Sequence, residues 1–137
     1  QRHLDEPVSL ALLDLDHFKQ INDTHGHDVG DKTLIAFARI VNSLIRRDDF
    51  FARLSGDEFL LIMEGFKDTG KESRALVEKI RQALLEKVII NETAITLQTS
   101  IGVAVQKDVN SIDIDKLIIE ADKDMYLNKR KQKEPSE

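Results

Sequence analysis

Apolar residues follow two different spacings along the chain, and together the spacings predict strands as well as helices. Residues 8–13 form a short apolar run, interrupted only by Ser9, that ends at Asp14, as expected of a buried central strand. Residues 50–54 and 58–63 are two more strand-like runs, separated by the glycine-containing residues 55–57. This arrangement predicts a first β-hairpin.

A second hairpin is predicted further along the chain. Residues 88–90 are apolar, and from Ile95 to Val105 every second residue is apolar except Thr99. Alternation with a period of two is typical of a strand with one buried face. The polar pair Asn91 and Glu92 lies between the two runs and is expected to form the turn.

Three amphipathic helices are predicted by apolar residues at helical spacing. A polar, glycine-containing stretch, residues 16–30, precedes the first of them. Thr69 and Glu72 have the spacing of a capping box at the start of the second. The predicted helices extend over residues 31–47, from Thr69 to near Lys87, and from about Ser111 onward.

The order of elements predicts an α+β fold. Strand, helices, hairpin, helix, strand pair and helix follow one another along the chain. A single mostly antiparallel sheet with helices on one face accounts for this order, in the ferredoxin-like split βαβ arrangement.

Composition limits the class of protein without identifying any chemistry. The chain has 137 residues, of which 41% are hydrophobic, and this is the size of one domain. With no cysteine, disulfides and thiolate sites are excluded, which fits a reducing compartment. The net charge of −5 argues against a nucleic-acid partner. We expect no membrane span and no signal peptide, because the chain has no apolar stretch of about 18 residues and begins with a polar segment.

Acidic residues follow the first predicted strand and occupy the first hairpin turn. Asp14 and Asp16 stand where the apolar run ends, and Asp57 and Glu58 stand at the turn. In a split βαβ sheet these two strands are neighbours, so their carboxylates converge and repel one another unless a cation lies between them. Oxygen ligands without His or Cys favour Mg²⁺ or Mn²⁺ and a nucleotide substrate. The alternative is that these acids are ordinary turn and cap residues.

Four motifs in order carry a resemblance to a known family. Residues 14–31 closely resemble the first signature of the GGDEF domain, the diguanylate cyclase family, and residues 53–59 resemble the motif that names it. Residues 100–104 and 121–126 resemble two further stretches of the same family. The resemblance covers the chain from about Val8 to Lys133 and implies a fold of the nucleotide-cyclase and polymerase-palm type.

The resemblance implies an enzyme of bacterial second-messenger signalling. Two GTP molecules would be condensed into cyclic di-GMP with release of pyrophosphate, across the interface of a homodimer. Each half-site would hold two Mg²⁺ or Mn²⁺ ions. Asp14, the backbone carbonyl of Leu15, and Asp57 would be metal ligands by this resemblance. Asp57 and Glu58 would be the catalytic residues, with Asp57 drawing the proton from the attacking 3′-hydroxyl.

The same resemblance assigns the substrate contacts. Asn22 and Asp31 would select guanine, because a carboxylate accepts from N1–H and N2–H₂ together and adenine lacks that donor pair. The other contacts would be made by Phe18, Lys19, His27, Lys129 and Lys133. Simpler interpretations stay open at this point: Asn22 as a turn cap, Asp31 as a helix N-cap, and Lys129 as a solvated helix end.

A product-inhibition site is also implied. Arg46 and Asp49 match the family's RxxD pattern at its usual distance before Ser55, and Lys79 stands where some members carry an additional arginine. Such an Arg–Asp pair can bind a phosphate and a guanine edge. The alternative is a C-terminal helix arginine followed by a turn aspartate.

The chain also departs from the family pattern. Ser55 replaces the first glycine of the name motif, and Lys133 replaces an arginine, so a point charge stands in place of a bidentate fork. The family's opening helix is absent before Gln1. We therefore expect residues 1–137 to be a single GGDEF domain without its opening helix and upstream regulatory region. A cytoplasmic location is expected, including as the cytoplasmic part of a larger membrane-anchored sensor.

Three functions compete at this point. The first is an active cyclase. The second is a non-catalytic receptor that binds cyclic di-GMP through Arg46 and Asp49. The third is a regulatory scaffold that binds GTP without turnover.

Overall fold

The computed structural model of the chain describes residues 7–64, 69–106 and 113–133, apart from the side chains of Thr69 and residues 130–133. The elements in chain order are β1 (Val8–Leu15), α1 (Phe18–His25), α2 (His27–Leu44), β2 (Phe50–Ser55), β3 (Glu58–Glu64), α3 (Thr69–Ala83), β4 (Lys87–Ile90), β5 (Thr93–Thr96), β6 (Thr99–Gln106) and α4 (Ile114–Lys133).

Four strands form the main sheet in the order β2-β3-β1-β6, and every neighbouring pair is antiparallel. The first hairpin is confirmed as β2 and β3. The apolar strand β1 lies at the centre, between β3 and β6, as its hydrophobic run predicted. The α+β split βαβ fold is therefore confirmed.

The prediction of a single sheet was wrong. β4 and β5 pair only with each other in a separate two-stranded sheet, whereas β6 joins the main sheet beside β1. The turn at Asn91 and Glu92 is where it was expected. A period of two continues through Leu97 into β6 and gives no sign of the change, because alternation reports which face is buried and not which strand is the partner.

Helices cover both faces of the sheet, so the prediction of one covered face was also wrong. Leu13 and its neighbours on one face of β1 pack with residues of α2 and α3, such as Phe37 and Ile80. Leu12 and its neighbours on the other face pack against α4, including Leu117. A strand that is apolar on both faces is typical of burial on both sides, and residues 8–13, in which only Ser9 is polar, therefore indicate a sheet covered on two faces.

The helix boundaries differ from prediction at several ends. Residues 16–30 contain α1 and the start of α2, which begins at His27 instead of Asp31 and ends at Leu44. Gly26, with φ of 93°, separates the two helices, since only glycine adopts that conformation without strain. α3 ends at Ala83, and the Thr69 side chain of the predicted capping box lies outside the described residues.

The last helix begins later than predicted. α4 starts at Ile114, whereas the predicted start at Ser111 lies outside the described residues. The Asp113 carboxylate accepts a hydrogen bond from the Lys116 amide at 3.2 Å and therefore caps the first turn. Within the described part of the chain, no helix combines the length and the apolar character needed to cross a membrane.

Candidate active site

Two backbone elements bring Asp14 and Asp57 together. Asp14 is the next-to-last residue of β1 and pairs across the sheet with Glu58, the first residue of β3. The Leu15 amide donates to the Asp57 carbonyl at 3.0 Å, so the pairing of β1 continues into the hairpin turn. The predicted convergence of these carboxylates is therefore what the sheet produces.

The turn itself explains how Ser55 is tolerated. Gly56 has the left-handed backbone, with φ of 44°, and Ser55 does not. The Arg53 Nε donates to the Gly56 carbonyl at 2.7 Å, and a bulge lies between Arg53 and Ser55. Glycine is thus required at the second position of the motif and not at the first, which removes the conformational objection to Ser55.

Lys129 comes to this site from α4, on the far side of the sheet. Its ammonium nitrogen lies 2.7 Å from Oδ2 of Asp14, and the two side chains are 33% and 18% exposed. Oδ1 of Asp14 is buried and has no hydrogen-bond partner among the described residues. One oxygen of Asp14 is therefore paired, and the other is left to accept from a ligand.

Repulsion between carboxylates shapes the acid–base behaviour of the site. Burial and then the charge of Asp14 raise the pKa of Asp57. Burial also raises the pKa of Glu58, with further contributions from the charges of Asp14, Asp122 and Asp57. Burial by itself lowers the pKa of Lys129, but its hydrogen bond to Asp14 and the surrounding acids raise it overall. Without a bound cation, repulsion between these partly buried carboxylates destabilises the fold. Such arrangements are typical of functional sites.

These groups line a cleft with a volume of about 460 Å³. Six of the predicted site residues contribute to its wall. They are Asp14, Leu15, Phe18, Lys19, Asp57 and Lys129. The cleft therefore unites metal-ligand candidates with phosphate-contact candidates, and two of these residues, Asp14 and Lys129, are 115 positions apart in the sequence.

Four lining residues were absent from the predicted site. They are Asp16, His17, Gln98 and Ser100. The hydroxyl of Ser100 donates to Oδ1 of Asp16 at 2.8 Å, and the Asp16 amide donates to the Gln98 carbonyl at 2.9 Å. Asp16 had a signal, because it follows the apolar run beside Asp14. Gln98 had none. Ser100 begins the third stretch that resembles the family, but only the pairing of β6 with β1 places it in the cleft.

The donor set of the cleft fits a hard cation. Asp14 supplies a buried oxygen without a partner, and the repulsion between Asp14 and Asp57 is what a positive ion would offset. Among the residues described, no cluster of three or more His, Cys, Asp or Glu side chains is placed to hold a metal. The two carboxylates would therefore need further oxygen ligands, from the predicted Leu15 carbonyl, water or phosphate.

The predicted guanine-binding residues lie on α1 and α2, outside the wall of this cleft. Oδ1 of Asn22 is buried, without a partner among the described residues, and lies against Gly30. A Cβ atom at Gly30 would be 1.7 Å from that oxygen, so only glycine fits beside it. Asn22 makes no side-chain cap, and Gly26 is the N-cap of α2 in place of Asp31. Asn22 is therefore not a turn cap, and Asp31 is not the helix N-cap. The unpaired oxygen of Asn22 lies beside Gly30, and the next residue, Asp31, is exposed.

The predicted product-inhibition residues form a closed pair at the other end of the sheet. Nη2 of Arg46 lies 2.7 Å from Oδ1 of Asp49, the Arg46 amide donates to Oδ2, and the Asp49 side chain is 0% exposed. Arg46 also donates to the Glu64 carbonyl, and Glu64 pairs with Val8 at the opposite end of β1 from Asp14. Six residues of strand separate these ends, or about 20 Å.

The remaining predicted residues lie on the exposed surface or outside the residues that the structure describes. His27 begins α2 and Lys79 lies on α3, both exposed. Lys133 is the last residue of α4, and its side chain lies outside the described residues.

Comparison with known proteins gives one consistent family. The family described as diguanylate cyclase, GGDEF domain, matches residues 1–135. DgcC of Escherichia coli, which is named a probable diguanylate cyclase, is 39% identical to the chain over 105 residues. The match covers 76% of this chain and 27% of that protein. The diguanylate cyclase DgcP of Escherichia coli is 34% identical to the chain over 136 residues. This match covers 98% of this chain and 39% of that protein. The chain thus spans well under half the length of these relatives.

Solved structures agree with the fold. A sensory box/GGDEF family protein of Caulobacter crescentus superposes with a TM-score of 0.84 at 31% identity, over 92% of this chain and 80% of that one. The GGDEF domain of DgcB from the same organism, solved in complex with cyclic di-GMP, gives a TM-score of 0.78 at 27% identity, over 92% and 74%. One relative, 34% identical over 97 residues, is named a cyclic di-GMP phosphodiesterase, NbdA of Pseudomonas aeruginosa, and only 12% of its length is matched.

Proposed function

The chain belongs to the diguanylate cyclase GGDEF domain family, and from this membership we propose that it condenses two GTP molecules into cyclic di-GMP. In each half of the reaction the 3′-oxygen of one GTP forms a bond to the α-phosphorus of the other. The bond to pyrophosphate breaks, and the hydroxyl proton leaves. Two such transfers close the ring and release two pyrophosphates. Since one domain presents one GTP, two copies must meet face to face.

The observation that carries the proposal is the meeting of Asp14, Asp57 and Lys129 in one cleft. A receptor that only binds the product has no need of two carboxylates held against mutual repulsion. Asp57 would accept the proton of the attacking hydroxyl, the role that the family resemblance implies for it. The Lys129 ammonium supplies positive charge for a phosphate group, and Glu58 adds a second acid beside the reacting groups.

A divalent metal is general among diguanylate cyclases of this family, and the residues of the cleft fit one. Asp14, Asp57 and the Leu15 carbonyl would hold Mg²⁺ or Mn²⁺, two ions in each half-site. When bound, the metal supplies charge compensation for the triphosphate and lowers the pKa of the attacking hydroxyl.

Substrate selection would be made by α1 and α2. Oδ1 of Asn22 has no partner among the described residues and lies against Gly30, and the next residue, Asp31, has an exposed carboxylate. Together these groups can accept from guanine N1–H and N2–H₂, which adenine does not offer. Phe18, Lys19, His27 and Lys133 would complete the binding of the nucleotide.

The test is formation of cyclic di-GMP from GTP and Mg²⁺ by the chain fused to a dimerising coiled coil. Asp57→Ala is expected to lower kcat by at least about 10²-fold, because it removes both a metal ligand and the proton acceptor. Glu86→Ala, an equal charge change at an exposed position that does not line the cleft, is expected to keep wild-type kcat.

The outcome separates the competing functions. GTP binding without product in the forced dimer at any protein concentration would leave a GTP-binding scaffold and end the proposal of catalysis. Cyclic di-GMP binding without GTP binding would indicate the receptor instead. We further propose that residues 1–137 are a single cytoplasmic domain of a larger regulated protein.

A further inference from the structure

The outer edge of β6 is closed by side chains of α4. Because β6 is the last strand of the main sheet, its outward N–H and C=O groups have no strand partner there. The Val103 amide instead donates to Oδ2 of Asp124 at 2.8 Å, and Nδ2 of Asn128 donates to the Ile101 carbonyl at 2.9 Å. Asp124 and Asn128 are four residues apart and so share one face of the helix.

A glycine allows this contact. A Cβ atom at Gly102 would be 1.9 Å from the carbonyl oxygen of Ala121 and 2.4 Å from the amide nitrogen of Met125. The backbone of α4 therefore lies directly on the backbone of β6 at this point, with Ala121 and Met125 buried. Backbone contact at Gly102 fixes the depth of the helix, and the two side-chain hydrogen bonds fix its position along the strand.

Lys129 immediately follows Asn128 and reaches Asp14 at 2.7 Å. One residue of helical displacement moves a side chain by about 1.5 Å along the axis and about 100° around it. Retaining the contact between Lys129 and Asp14 thus requires α4 to stay in register with β6, and the hydrogen bonds of Asp124 and Asn128 set that register.

We propose that Asp124 and Asn128 are positioning residues, which hold α4 on the edge of β6 so that Lys129 reaches the active-site cleft. The inference rests on the proposed function, in which Lys129 contacts a GTP phosphate. Neither residue lines the cleft, so each acts through Lys129 and not on the substrate.

The test is a double-mutant cycle on nucleotide binding. The probe is 3′-deoxy-GTP with Mg²⁺, which cannot react because it lacks the attacking hydroxyl, and its Kd is measured by calorimetry on the chain. Asn128→Ala is expected to raise Kd about fivefold in the wild-type background. In the Lys129→Ala background the same change is expected to raise Kd less than about twofold, because the group being positioned is gone.

Further variants separate positioning from a general loss of structure. Asp124→Asn keeps an acceptor oxygen for the Val103 amide and is expected to retain wild-type Kd, whereas Asp124→Ala raises it. Glu120→Ala makes the same charge change on an exposed position of α4 and is expected to have no effect. Because alanine is the best helix former, Asn128→Ala retains the helix, and it decides the question even if Asp124→Ala does not fold.

Each contrary result has a definite meaning. Equal effects of Asn128→Ala in the two backgrounds, or no effect in the wild type while Lys129→Ala weakens binding, would overturn the positioning role alone. Unchanged binding in Lys129→Ala would overturn the proposed phosphate contact and this inference with it.

Discussion

At the scale of single residues, the position that the proposed catalysis requires of Asp57 also lowers the stability of the fold. Burial and the charge of Asp14 raise its pKa above the ordinary value of 3.8. The folded state therefore binds this proton more tightly than the unfolded state. Stability conferred by protonation is present at low pH and is lost as pH rises from about 3.8 through the higher folded pKa. At neutral pH the ionised pair destabilises the fold.

Asp57→Asn is therefore expected to stabilise the protein at pH 7 in the absence of divalent metal. Because Asp57 is half-buried and its charge is partly screened by solvent, the gain is small, about 2 °C in Tm. The gain should shrink as pH is lowered towards the raised pKa of Asp57, because the wild-type carboxylate then takes up its proton. Thermal unfolding followed by circular dichroism from pH 4 to 8 measures it.

Asp48→Asn is the matched control for this prediction. It makes the same change at an exposed turn position, where Tm should not follow this pH dependence. A variant that is equally stable at every pH would show that the carboxylates do not repel each other as described.

At the scale of secondary-structure elements, the β4–β5 hairpin is held by unusual backbone at its tip. Asn91 and Glu92 have φ of 49° and 67°, which is the pair of left-handed residues required by a type I′ turn. The Asn91 amide bridges Asp28 and Lys32 at the start of α2, with distances of 3.0 and 2.9 Å. Asn91 is suited to this backbone, whereas Glu92 is not.

Replacement of Glu92 by glycine is expected to stabilise the chain. Removal of the left-handed penalty exceeds the greater entropy of glycine in the unfolded state, with a net gain of about 0.5 kcal/mol. Urea unfolding measures the difference. Glu92→Ala removes the same charge while keeping the penalty and should show no gain; an equal gain in both variants would assign the effect to charge.

At the scale of the whole molecule, the predicted product site and the active-site cleft lie at opposite ends of β1, about 20 Å apart. The Arg46–Asp49 pair is already satisfied internally, with the Asp49 carboxylate buried. Removing Arg46 would leave a buried charge without its cation, which destabilises proteins strongly. Loss of cyclic di-GMP binding in Arg46→Ala would therefore have two possible causes, a lost contact with the ligand or unfolding of the protein.

Arg46→Lys is the better variant for testing the product site. Lysine keeps the charge beside Asp49 but lacks the planar fork, so cyclic di-GMP affinity is expected to fall about tenfold with the fold retained. Lys79→Ala should lower affinity about threefold if its charge contributes to the same site. Calorimetric titration with cyclic di-GMP measures both.

Arg39→Lys, at an exposed position of α2, is the control for the change of headgroup. Equal product affinity in wild type and Arg46→Lys would mean that Arg46 and Asp49 serve only to close the end of α2. That outcome would leave the proposed catalysis untouched, since the active-site cleft is distant.

Much of this architecture could be predicted from the sequence, and the failures have a common cause. The apolar run before Asp14 predicted a central strand, and the turn between Arg53 and Glu58 predicted its neighbour, so the convergence of Asp14 with Asp57 followed. The β4–β5 sheet was missed because β5 and β6 share one period of two. The start of α2 was missed because residues 16–30 are mostly polar. They form α1, which has no buried residue, and the first turn of α2, so no apolar helical spacing marks them.

Local pattern and motif spacing by themselves determined the α+β class, the central position of β1, the family, and the acids of the active site. These features depend on short-range periodicity and on residues close together in the chain. Only the tertiary structure decided that α4 covers the second face of the sheet, that Lys129 meets Asp14, and that Gln98 and Ser100 line the cleft. Lys129 and Asp14 are 115 positions apart, and Ser100 and Asp16, which hydrogen-bond at the cleft, are 84 apart. These contacts depend on which strand β6 pairs with and on where α4 rests, which no local pattern encodes.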